Sequence, residues 1–146
     1  MKPNEAITPT GETFIRKVLV INSVSSGACG LLLLLFPGYV AEWTGLDSRT
    51  GLVSTGVFLL VFVAFLVWTA SRSIVSPGAV LVITVLDFLW VVGSALLLAD
   101  KGTTVTMTVF GVWAVILVTA VVGVFGIFEA IYCWRNRAFG RDQTIR

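Results

Sequence analysis

Apolar residues along this chain do not alternate with polar ones; they come in runs. Residues 18–36, 51–70, 79–98 and 105–134 are four nearly continuous apolar stretches separated by short polar segments. About 20 apolar residues at 1.5 Å rise per residue make roughly 30 Å of helix, the thickness of a bilayer's hydrocarbon core. The pattern predicts an all-α integral membrane protein, a four-transmembrane-helix antiparallel bundle. Residues 1–13, with Pro3, Pro9 and Gly11, read as a flexible tail. Residues 14–137 then form the membrane domain and residues 138–146 a second tail.

The segments between the runs carry their own signals. Phe36-Pro37-Gly38 ends the first span, because proline cannot continue the helix and glycine supplies the turn. Residues 39–50 read as a loop whose Tyr39 and Trp43 suit an interfacial aromatic belt. Arg16-Lys17 ahead of the first run imitates a secretory signal. The run is long for one, and no small-x-small cleavage site follows, so it is read as a retained span. The fourth run exceeds what a bilayer requires and is expected to tilt or protrude.

Composition narrows the classes. The chain is 57% hydrophobic and 12% charged, which leaves no room for a separate aqueous domain. A net charge of +2 does not suit nucleic-acid binding. Histidine is absent, so the usual haem ligand, the commonest zinc ligand and the imidazole base are missing; no cofactor and no metal is expected. Cys29 and Cys133 sit in or at the end of apolar runs and form no C-x-x-C pair.

What remains is the polar minority inside the spans. Asp87 stands near the middle of the third span, roughly 15 Å from its Pro77-Gly78 start. A carboxylate at that depth costs about 2.5 kcal/mol or more and needs a partner, a proton or water. Thr84 and Ser94 share its face, with Trp90 at the edge. On the first span Asn22, Ser25, Ser26 and Cys29 fall at i, i+3, i+4 and i+7. Beside them Ser23, Gly27 and Gly30 form a small face expected to admit the third and fourth spans. The fourth span presents Thr119, Gly123, Gly126, Glu129 and Cys133 on one side. A faint repeat at a shift of 65 residues lays Asn22 on Asp87 and Leu31-Leu32-Leu33 on Leu96-Leu97-Leu98.

These stripes, turned inward, are expected to enclose a polar pocket in the cytoplasmic half of the bundle, capped outward by leucines. The candidate ligand- or proton-binding residues are Asp87, Glu129, Asn22, Ser26, Trp90 and Ser94. Two acids with no intramembrane cation point to at least one being protonated, since unpaired charge is costly there. That chemistry suits a small lipophilic or cationic ligand, bound or transported, with proton coupling. Plainer readings exist too: Asp87 as a register-fixing hydrogen bond to Asn22 or Trp90, Glu129 as a snorkelling or ion-paired carboxylate near the interface, the serines as packing glue. An accessory subunit of a larger membrane complex or a homodimer would use the same polar faces. A lipid-modifying enzyme would need a nucleophile-base set or metal motif, and none is legible.

Basic residues set the expected topology. Lys2, Arg16, Lys17, Arg72, Arg135, Arg137, Arg141 and Arg146 fall on one side of the spans, and Arg49 and Lys101 on the other. This bias places both termini in the cytoplasm of a multi-pass protein of the cell membrane, such as a bacterial inner membrane. Ser48→Cys and Gln143→Cys, each in a cysteine-free background, test it with a membrane-impermeant thiol reagent. Only Ser48→Cys should label from outside intact cells; labelling of Gln143→Cys would reverse the orientation.

Overall fold

The computed structural model describes residues 9–100 and 105–140, with side chains described for residues 11–100 and 105–136. Five helices follow in order: α1 (Pro9–Leu35), α2 (Pro37–Thr44), α3 (Arg49–Ser71), α4 (Pro77–Ala99) and α5 (Val109–Gly140). Strands are absent among the described residues. α1, α3, α4 and α5 are long and apolar enough to cross a membrane. Each buries a single stripe at helical spacing. On α4 the stripe is Val80, Ile83, Thr84 and Asp87; on α5 it is Val122, Gly126, Glu129 and Cys133. The remaining faces are apolar yet open: Val61 is 66% exposed and Leu96 69%. Water does not favour such a surface, whereas lipid does.

The sequence reading needs several corrections here. Helix begins at Pro9, so residues 9–13 of the expected tail belong to α1; residues 1–8 and 141–146 lie outside the described residues. α5 starts at Val109 rather than 105 and runs past 134 to Gly140. Residues 101–104, between α4 and the fourth apolar run, also lie outside the described residues. Residues 39–44 are helix, not loop. Pro37 opens α2 from its first turn, where proline's missing N–H costs nothing. Gly45 closes it in the left-handed conformation (φ 76°), with its N–H donating to the Ala41 carbonyl at 2.8 Å.

Helices pair as α1 with α3 and α4 with α5, both antiparallel, and α1 then meets α5. The small face of α1 packs on α3, not on α4 and α5 as expected. Gly30 and Gly56 approach so closely that a Cβ on either would lie 3.2 Å or less from the other's carbonyl oxygen or nearby side chains. Gly27 lies only in ordinary contact with Val63. Close backbone approach through small residues is the packing that suits helices in lipid, where the hydrophobic drive between them is missing.

Both ends of the bundle are tied. At one end Arg16 donates to the carbonyls of Ala70, Arg72 and Ser73 and to the Glu12 carboxylate, while Glu12 accepts the Val75 N–H at 3.0 Å. The guanidinium thus satisfies carbonyls at the open C-terminus of α3. At the other end the Thr108 N–H donates to the Thr44 carbonyl at 2.9 Å, and the Thr108 hydroxyl to the Trp43 carbonyl. A Cβ on Gly111 would sit 2.2 Å from the Thr44 carbonyl oxygen, closer than any real contact.

Gly111→Ala should therefore push α2 off α5 and destabilise the protein by about 1–3 kcal/mol. Gly93→Ala, where nothing lies within 4 Å, is the matched control and should not destabilise it. Thermal melts of both variants in detergent check this; equal melting temperatures would refute the close approach.

Candidate functional site

Three helices converge on one amide. Asn22, completely buried on α1, donates from Nδ2 to Asp87 Oδ2 on α4 at 3.0 Å and to Glu129 Oε1 on α5 at 3.3 Å. Its Oδ1 accepts the Ser26 hydroxyl at 3.1 Å. An amide has two N–H donors, and each carboxyl takes one of them. Both acids thus lie against one amide nitrogen, Asp87 at 3.0 Å and Glu129 at 3.3 Å.

The two acids differ in their surroundings. Glu129 is completely buried, and its Oε2 receives no hydrogen bond. The plainer reading of Glu129 as a carboxylate snorkelling to an interface does not match its complete burial. Asp87 is buried too, but it lines a cavity of about 200 Å³ that does not reach Glu129. α1 contributes Ser25, Ser26 and Cys29 to that cavity, and α3 contributes Phe58, Leu59 and Phe62. Trp90 of α4 and Leu117, Val118, Val121 and Val122 of α5 complete much of the wall. The rings of Phe58 and Phe62 are stacked, 6.5 Å apart and 4° from parallel.

Among the candidate residues, the structure brings Asn22, Ser26, Asp87 and Glu129 into one hydrogen-bonded cluster. Trp90 joins the cavity wall without bonding Asp87; its buried Nε1 has no partner. Ser94 is half-buried and belongs to neither cluster nor cavity, because two turns of helix carry it beyond Asp87. Thr84, on the Asp87 face, donates to its own helix at the Val80 carbonyl (2.9 Å), which removes it from the cluster. The cavity also lies on the α2 side of Asp87, not on the side expected from the depth of the polar residues. Leu59, Val118 and Val122 gave no signal in the sequence, since apolar residues in an apolar span look alike whether they face a cavity or lipid.

Four long apolar helices are compatible with a small multi-pass membrane protein. Comparison with protein-family models, curated proteins and solved structures finds no match for this chain.

The cluster has a stability signature. Asn22→Ala removes the donor that both carboxyls share and should cost about 2–3 kcal/mol, the scale for leaving buried acceptors unsatisfied. Ser26→Ala removes one neutral hydrogen bond and should cost about 1 kcal/mol. Melting curves in detergent check the order; an Asn22→Ala variant as stable as wild type would dissolve the cluster's structural importance.

Proposed function

We propose that this chain is a multi-pass membrane protein, with both termini in the cytoplasm, that binds or transports a small lipophilic cation in the cavity beside Asp87. One observation carries the reading: a cavity walled mainly by apolar side chains has a buried carboxyl in its lining. Ligand sites have this composition, an apolar wall with a few placed polar groups that fix orientation. A carboxyl selects for positive charge, and the stacked Phe58 and Phe62 rings can offer π faces to the same cation. Asn22 holds Asp87 from behind, so the acid is positioned before any ligand arrives. The lipid bilayer is the expected surroundings, and a lipophilic ligand would reach the cavity from it.

Phenyltrimethylammonium, whose charge does not vary with pH, is a suitable probe for protein in neutral-lipid nanodiscs. Equilibrium dialysis should show saturable binding above empty nanodiscs, weakened at least tenfold by Asp87→Asn. Equal binding by wild type and Asp87→Asn would overturn the proposal.

A further inference from the structure

Charge and hydrogen counting around Asn22 constrains what such a site does when it fills. The cluster holds two carboxyls and one amide, and both amide hydrogens are committed, one to each acid. The Ser26 hydroxyl beside the amide is turned to Asn22 Oδ1. Among the described residues, no Lys or Arg lines the cavity or bonds the cluster. Two facing carboxylates would therefore repel each other without compensation. A proton on at least one of these acids, which share one amide nitrogen, removes that repulsion.

The geometry says which acid keeps that proton. Glu129 is the more secluded: it has no exposed surface, its Oε2 receives no hydrogen bond, and the cavity stops short of it. An ionised carboxylate needs donors on both oxygens, whereas a carboxylic acid spends one oxygen as a donor itself. Asp87 has the shorter bond from Asn22 and lines the cavity. The titratable group facing Asp87 is Glu129 from α5. α1 brings Asn22 and Ser26, with the Cys29 thiol further along the cavity; α3 brings Phe58 and Phe62; α4 itself brings Trp90.

We infer that the site exchanges one proton for one monovalent organic cation at Asp87, with Glu129 remaining a neutral hydrogen-bond donor that positions the Asp87 carboxylate. Empty, both acids carry their protons and the cluster is neutral. On binding, the Asp87 O–H bond breaks, its proton leaves for water, and the carboxylate left behind pairs with the incoming cation. The cluster begins and ends uncharged, so no net charge is buried in the apolar interior. The sign follows directly. Protons compete with the cation, so affinity falls as pH is lowered, by at most tenfold per pH unit for one proton.

This rests on the binding reading above, and the test separates the two. Phenyltrimethylammonium is added to protein in weakly buffered nanodiscs, and proton release is read with a pH-indicator dye alongside the dissociation constant from pH 5 to 9. On the acid side, where the dissociation constant should change with a limiting slope of one, one proton should appear per cation bound; on the alkaline side both the slope and the release should vanish together. Glu129→Gln, which mimics the neutral acid, should keep the one-proton release, whereas Glu129→Ala should lose it together with affinity. Binding with no proton release would overturn the exchange alone. Loss of release in Glu129→Gln would make Glu129 the exchanging group and overturn the assignment. No binding by wild type at all would overturn the binding reading and the exchange together.

Discussion

A single primary amide, Asn22, stands where an apolar bundle would otherwise have two unsupported acids. Its two hydrogens reach one acid on α4 and one on α5, so the same group that satisfies the carboxyls also ties three helices together. In an aqueous protein such a node would add modestly to a hydrophobic core. In lipid, where association gains little from expelling apolar surface, interhelical hydrogen bonds and close packing must supply the contact. The junction between the α1–α3 pair and the α4–α5 pair is accordingly polar at its centre, with the edge-on contact of Phe14 and Phe128 (5.5 Å) beside it.

The cavity follows from how the remaining contacts are distributed. Gly30 and Gly56 let α1 and α3 approach closely, and the ties at Arg16 and at Thr108 hold the two ends of the bundle. Between those ends α3 and α4 scarcely touch, and large side chains, Phe58, Phe62 and Trp90, project into the gap. Big rings on separated helices enclose space that small residues would have closed. Asp87 meets that space with one side and Asn22 with the other. Asp87 is therefore both held by a hydrogen bond and in contact with open space.

Charge placement gives the ends their different characters. Glu12 and Arg16 fold back on the α3–α4 connection, where Arg72 also lies 4.3 Å over the Trp68 ring. The opposite end is tied through backbone carbonyls and threonine hydroxyls, with the α2 aromatics Tyr39 and Trp43 left exposed. One of the basic residues at the first end, Arg16, thus caps the end of α3.

The four long helices were legible in the chain because a run of about twenty apolar residues has one stable form in lipid, with every backbone group bonded within the segment. Period 3.6 was enough to place Asn22 with Ser26 and to single out Asp87 and Glu129, since rare polar residues in apolar spans stand out one helix at a time. What periodicity cannot carry is which faces meet. The small face of Gly27 and Gly30 fits any close neighbour, and only packing chose α3 over α4 and α5. Pro37 read as a stop although it also starts α2, because a proline that ends one helix is equally suited to the first turn of the next. The cavity was invisible for the same reason: its walls are ordinary apolar residues, and a void is a property of where helices fail to touch. Sequence thus determined the spans and their polar residues, which depend on local bonding and transfer energy. Tertiary structure alone decided that one amide serves both acids and that Asp87, not Glu129, faces open space, since both depend on the relative placement of separate helices.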